Sequence, residues 1–234
     1  MKYFSQDGQD AFIVKLFRGE RNGTFIDIGA FDGKTFSNTL YLEKELMWKG
    51  ICIEPNPIAF KELKANRNCI CINCGVGEKE GVFKFLSLSG ASAMLSGYID
   101  SFDENHINRI DQLIKTHGGK KELIEVPVLP FKIIAEKHNI EIVEYCNIDV
   151  EGGELNVLRS IDFKKVKIKV FTIENNNDSK EVCNFLKPFG YKLIHKLGAD
   201  EVYELSSKRY QLILNYKIKK LKNALSELKH RFIK

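Results

Sequence analysis

Thr24-Phe25-Ile26-Asp27-Ile28-Gly29-Ala30-Phe31-Asp32-Gly33 is the stretch that decides the fold. Its first half is aromatic and β-branched, the composition of a buried strand, and its second half is a glycine turn with an acid at each end. A strand that stops in such a turn and runs on into a helical stretch opens a βαβ unit. The pattern repeats downstream. Gly50 to Glu54 is a second strand ending in an acid, and Cys69 to Asn73 is a third. Between them Phe36–Trp48 and Pro57–Asn66 read as helices, the second with proline at its start.

Further along, Val82 to Leu86 reads as an edge hairpin, Glu144 to Asp149 as a fourth main strand and Lys169 to Glu174 as a fifth. Tyr191–His195 and Glu201–Leu205, joined by a turn at Gly198, form a closing antiparallel hairpin. The expectation is therefore an α/β chain with a Rossmann-like, seven-stranded, mostly parallel sheet. Residues 1–206 are expected to make one domain. Within it, the polar, glycine-bearing stretch 87–121 is an insertion over the active face, with one helix around Phe102–Thr116.

Of the 234 residues, 44% are hydrophobic and 29% charged, ordinary values for a globular protein. No apolar run approaches the ~20 residues that span a bilayer, and the first residues lack the apolar core of a secretory signal. A cytoplasmic protein is expected. The net charge of +5 is uneven: from Ser207 onward nine Lys/Arg face one acid, Glu227, giving +8 there and about −3 for the remainder. Leu214, Ile218, Leu221, Leu225, Leu228 and Phe232 recur at steps of four and three, so residues 207–234 read as a basic amphipathic helix. That helix suits a homodimer contact or attachment to the inner membrane face. Basicity confined to one terminal segment gives no reason to expect nucleic acid.

Six cysteines lie mostly in strand-like runs, where a thiol packs as a small hydrophobe. Cys71-Ile72-Asn73-Cys74 spells CxxC, but no second CxxC or His pair completes a zinc site.

In an open parallel sheet, ligands bind beyond the carboxyl ends of the strands. Five expected strands end in polar or acidic groups there: Asp27 with Gly29 and Asp32, then Glu54, Asn73, Asp149 and Glu174. A dinucleotide site would carry G-x-G-x-x-G, whereas this turn has glycine only at Gly29 and Gly33. A cofactor with an amino-acid end in place of a pyrophosphate fits better, and S-adenosylmethionine (SAM) is one. Asp27, Asp32, Ser37 and Asn38 suit its ammonium and carboxylate, while Glu54 suits the two ribose hydroxyls. NAD enzymes share that last feature, so an NAD-dependent oxidoreductase or epimerase is the rival reading. A Tyr-x-x-x-Lys pair is missing at Tyr41 and Tyr191, and a non-catalytic SAM-binding module is the third reading.

Ser5-Gln6-Asp7-Gly8-Gln9-Asp10, Phe25 to Ala30, Ser37-Asn38-Thr39, Trp48-Lys49-Gly50, Ile53-Glu54-Pro55-Asn56-Pro57 and Ile148-Asp149-Val150-Glu151-Gly152-Gly153-Glu154 together resemble the FkbM family of SAM-dependent methyltransferases. The resemblance runs from about Ser5 to Leu205. It implies a class I methyltransferase fold and O-methylation of a hydroxyl, on sugars of surface glycans or on secondary metabolites. It also implies that Asp27, Gly29 and Asn38 hold the methionine part, Glu54 the ribose and the segment after the third strand the adenine; Gln9, Pro55 and Asn73 are further candidate cofactor residues. Gly75 departs from the family's small nonpolar residue, and Val128-Leu129-Pro130 from its usual threonine-leucine pair.

Alcohol methylation requires a base or a metal to draw off the hydroxyl proton. Asp149 and Glu151 are the candidate catalytic acids. Asp149, Glu174 and Asn175 form a candidate site for a hard cation such as Mg²⁺. Glu151 and Glu154 could instead serve the N-terminus of the next helix. For the acceptor, Ser101, Asp103, Asn105, His106, Asn108 and Arg109 of the insertion are the groups able to hydrogen-bond a sugar.

Overall fold

The computed structural model describes residues 2–102 and 104–206, so Asp103 and the whole basic tail lie outside the described residues. In chain order the elements are α1 (Gln9–Leu16), β1 (Thr24–Ile28), α2 (Leu40–Leu46), β2 (Lys49–Ile53), α3 (Pro57–Asn66), β3 (Ile70–Ile72), β4 (Gly75–Val76) and β5 (Gly81–Leu88). They continue as β6 (Gly97–Tyr98), α4 (Glu104–His117), β7 (Lys121–Leu129), α5 (Phe131–Lys137), β8 (Ile142–Ile148) and α6 (Glu154–Arg159). The last are β9 (Lys167–Glu174), α7 (Glu181–Leu186), β10 (Tyr191–Leu197) and β11 (Asp200–Leu205).

The main sheet has seven strands in the order β10-β11-β9-β8-β1-β2-β3. From β3 to β9 every pairing is parallel, and β11 runs antiparallel between β9 and β10. This is the expected sheet with its closing hairpin. The chain builds outward from β1 through β2 to β3, then returns to lay β8 on the other side of β1. The crevice between the ends of β1 and β8 is thus the switch point where such sheets bind ligands.

Alternation along β1 assigns its two faces. Ile26 and Ile28 pack with Phe131, Val157 and Leu158 on the side of α5 and α6, while Phe25 packs with Ile13, Leu42, Trp48 and Leu63 on the side of α1 to α3. Asp27 therefore faces the second layer. Pleating, not chemistry, sends its side chain there.

The expected edge hairpin at Val82–Leu86 is replaced by a second sheet, ordered β4-β7-β5-β6, in which β5 pairs antiparallel with β7 along its whole length. Pro127 inside β7 argues against a strand in sequence. It is tolerated because β4 covers only Val128 and Leu129, so its missing N–H faces no neighbour on that side. The insertion carries α4 on Leu88, Leu95 and Ile110, a small core of its own. α2 is shorter than Phe36–Trp48: Met47 takes a left-handed φ (59°) that ends the helix, and Phe36, also left-handed (51°), lies before its start at Leu40. Among the described residues, no helix is long and apolar enough to cross a membrane.

A candidate cofactor cleft and acceptor groove

Two backbones meet closely where β1 and β8 end. Gly29 has φ +84°, and a Cβ there would stand 1.7 Å from the carbonyl oxygen of Asp149. The Asp149 N–H in turn donates to Ile28 O (3.0 Å). Glycine is what lets the turn after β1 slide beneath the turn after β8 and leave a cleft above both.

That cleft encloses about 630 Å³ of atom-free space, its mouth included, and Gly29, Glu54, Pro55, Cys74, Gly75 and Asp149 are among its lining residues. Glu54 is held by the backbone around it: Phe31 N–H donates to Oε2 (2.9 Å) and Asn56 N–H to Oε1 (2.8 Å). One acceptor site on each oxygen remains for a ligand. Burial raises its carboxyl to about 7, against the lowering effect of those two N–H groups.

The other expected cofactor residues are engaged inside the protein. Asp27 accepts from Thr39 Oγ1 (2.6 Å) and Asn147 Nδ2 (3.0 Å), with the Arg67 guanidinium 3.9 Å away. Burial still raises its carboxyl. Ser37 Oγ accepts from Leu40 N–H at the start of α2, and Asp32 accepts from Lys34 and Thr35 N–H in its own loop. Gln9 ties α1 to β11 by donating to Asp200 (2.8 Å). Asn73 Nδ2 donates to the carbonyls of Glu54 and Pro55, fixing the turn that presents them. Asn38 donates to Asn147 Oδ1 (2.9 Å), and its own buried Oδ1 is left without a hydrogen-bond partner. Arg67, whose buried guanidinium also donates to Glu43 (2.5 Å) and Thr39 (3.0 Å), holds this layer together, and no sequence feature had marked it.

Asp149, Glu151 and Glu174 converge, with one carboxylate oxygen of each within 4.8 Å of the others. Burial first, and then the neighbouring carboxylates, raise all three: Asp149 well above the usual range, Glu151 to about 9 and Glu174 to about 7. One oxygen each of Glu151 and Glu174 is buried without a hydrogen-bond partner. Glu151 takes a left-handed φ of 58° to reach the cluster. Glu154, not Glu151, serves the turn before α6, accepting from Gly152 N–H (3.0 Å). Asn175 does not join. Its side chain is closed on Ser179, donating to the carbonyl (2.8 Å) and accepting from the N–H (3.0 Å), so Glu151 stands where Asn175 was expected.

Beyond the acids a second cavity opens, about 1180 Å³ with its mouth, lined by Ser101, Asn105, His106, Arg109, Asn176 and Ser179 among others. Four of the six insertion residues expected at an acceptor site are there, whereas Asn108 is not among its lining residues. Glu151 borders both cavities. The His106 ring lies 3.5 Å from it and is stacked on Phe102 at 4.2 Å between centroids.

The CxxC cysteines form no disulfide, nor do the other four, and the sulfurs of Cys52 and Cys69 lie 3.5 Å apart.

The cleft at the switch point, with Glu54 in its lining, and the separate polar groove thus share Glu151 of the acid cluster as a common wall. The sequence profile of the methyltransferase FkbM domain matches residues 27–193, and the chain belongs to that family of SAM-dependent methyltransferases. No curated protein matches it. The solved structures similar to it match at low identity and low TM-score. Precorrin-6y C5,15-methyltransferase from Geobacter metallireducens GS-15 is 13% identical, with 83% of this chain and 84% of that chain covered and a TM-score of 0.41. A TehB-like SAM-dependent methyltransferase from Corynebacterium glutamicum ATCC 13032 Kitasato is 10% identical, with 85% and 88% covered and a TM-score of 0.43. An RNA methyltransferase from Salinibacter ruber in complex with S-adenosyl-L-homocysteine is 10% identical, with 88% and 95% covered and a TM-score of 0.38. The family match carries the assignment.

Proposed function

We propose that this chain transfers the methyl group of SAM to a hydroxyl oxygen, most suitably of a sugar in a surface glycan or its precursor. The observation that carries the reading is Glu151 and its two acidic partners standing at the junction of the cofactor cleft and a polar groove. Bound SAM supplies a sulfonium methyl, and the oxygen–carbon bond forms as the carbon–sulfur bond breaks, leaving a neutral thioether. Glu54 accepts the ribose hydroxyls, and Asn38 Oδ1 is the free acceptor for the methionine ammonium. The acids take the proton that the acceptor hydroxyl loses. Glu174, raised to about 7, is matched to that task at neutral pH, since a base works best with a pKa near the working pH. Amides and hydroxyls at Ser101, Asn105, Asn176 and Ser179, with Arg109, offer the donors and acceptors that a polyhydroxylated ring needs.

The same three acids suit a hard cation such as Mg²⁺: all donors are carboxylate oxygens, and one oxygen each of Glu151 and Glu174 is buried without a hydrogen-bond partner. Asp149, Glu151 and Glu174 would hold it, and it would supply Lewis-acid polarisation of the acceptor oxygen. Turnover measured against nucleotide sugars, glycans and polyketide alcohols, with and without EDTA, tests both statements. Methyl transfer to none of the hydroxyl acceptors would refute the first, and full activity in EDTA the second.

For the tail the proposal rests on sequence: its +8 charge and apolar repeat fit a homodimer contact, or attachment to anionic lipid on the cytoplasmic side of the inner membrane, where glycan precursors on lipid carriers would be within reach.

A further inference from the structure

Tyr98 enters the cofactor cleft from outside the main sheet. It is half of the two-residue strand β6, whose pairing with β5 sets it opposite Phe85. The rings of Phe83 and Phe85 meet its ring edge-on, with centroids 6.4 and 5.4 Å away, and hold the phenol in one orientation. Its hydroxyl rests against the backbone of Gly75, where a Cβ would fall 1.4 Å from the phenol oxygen and 2.7 Å from Cζ. Gly75 is not among the positive-φ glycines, so its backbone does not require glycine. Room for the phenol does. This accounts for the position at which the sequence departs from the family's small nonpolar residue.

The Tyr98 hydroxyl is buried and has no hydrogen-bond partner. Native proteins rarely leave such a group unsatisfied unless a ligand or water completes it. Burial, with Cys74 and Glu54 nearby, raises the phenol pKa, so the group is a donor in search of an acceptor. The cleft runs from Asp149 and Gly29, past Glu54, to Cys74 and Gly75, and Tyr98 lines its far end. With the ribose on Glu54 and the sulfur towards Asp149, the adenine lies at the Gly75 end. Unlike a ribose hydroxyl, which already has Glu54 as its acceptor, the adenine ring offers nitrogens that only accept.

We propose that Tyr98 is a cofactor-binding residue supplied by the insertion, its hydroxyl donating a hydrogen bond to a ring nitrogen of the SAM adenine, with Gly75 as the glycine that admits it. This rests on the cofactor reading above. Tyr98→Phe removes an oxygen that makes no bond inside the protein. The ligand-free variant should therefore melt at the wild-type temperature or higher, while its Kd for S-adenosylhomocysteine rises about three- to tenfold, the scale of one hydrogen bond. Adenosine should lose affinity by the same factor. Gly75→Ala, which displaces the ring, should weaken S-adenosylhomocysteine at least as much. Unchanged affinity in Tyr98→Phe, beside a wild type that binds, would overturn the assignment. So would a lower melting temperature of the ligand-free variant, which would make the hydroxyl structural. A wild type that binds neither probe would instead bring down the cofactor reading itself, and this proposal with it.

Discussion

Glu54→Gln keeps the shape of the side chain and removes its charge, and the structure sets how much that should matter. Each Glu54 oxygen accepts one backbone N–H, from Phe31 and from Asn56, which leaves one acceptor site apiece for the two ribose hydroxyls. In glutamine one of those oxygens becomes an NH₂ that can accept from neither side, so at least one ribose bond is lost. Hydrogen bonds to a charged group contribute about 1.5–3 kcal/mol, so S-adenosylhomocysteine should bind roughly ten- to a hundredfold more weakly. The wild type adds a pH signature. Its Glu54 carboxyl is raised by burial to about 7, and the ionised form is the one that accepts both hydroxyls. Affinity should then rise about tenfold between pH 6 and pH 8 as the competent fraction grows, with proton release on binding. Stability runs the opposite way. A carboxyl whose folded pKa is raised stabilises the fold below its unfolded value of 4.5, and that contribution is lost as pH rises through about 7. Calorimetric titration at both pH values, in buffers of different ionisation heat, reads affinity and proton release together. A glutamine variant with wild-type affinity, or one that keeps the pH dependence, would refute the ribose role.

Asp149→Asn should lower methyl transfer at least a hundredfold with the fold retained in circular dichroism, the typical contribution of one positioned base. Activity within a factor of a few of wild type would clear Asp149 of any part in the chemistry. Gly29→Ala combines a left-handed φ with a Cβ 1.7 Å from a backbone carbonyl, so it should cost more than about 3 kcal/mol, roughly 6–12 °C in Tm. Gly8→Ala, with a similar φ of +83° and nothing within 4 Å, should cost only about 1–2 kcal/mol; equal losses would show that crowding at Asp149 is not what demands glycine. Deleting residues from Ser207 onward should leave S-adenosylhomocysteine affinity unchanged while altering the oligomeric state in light scattering or binding to anionic liposomes. No change in either would withdraw both roles proposed for the tail.

The five parallel strands of the main sheet were legible because each is short, mostly apolar and has a polar residue at its carboxyl end or just past it, so period and punctuation agree. β7 was not, since Lys121, Glu122, Glu125 and Pro127 imitate a loop, and only the shortness of β4 makes the proline harmless. At the site, sequence named the strand ends but could not say which way a side chain turns. Asp27 and Glu54 look alike in sequence, each closing a strand. Pleating sends Asp27 under the sheet to Thr39 and Arg67, whereas Glu54 lies one residue past its strand and turns into the cleft. Glu151 stands beside Asp149 and Glu174 in place of Asn175 for a similar reason: Asn175 closes a turn with Ser179, and a left-handed backbone at Glu151 carries its carboxylate into the cluster. Tyr98 left one trace in the sequence, the unexpected glycine at Gly75, and nothing local says which ring fills that space.

A crystal structure with S-adenosylhomocysteine bound tests the central claim most directly. The ribose should lie on Glu54 and the base towards Gly75, with the sulfur facing Asp149, Glu151 and Glu174 so that a methyl on it would point into the groove lined by Asn105 and Arg109. Ligand bound elsewhere, or a sulfur turned away from that groove, would contradict the assignment of the acids to methyl transfer.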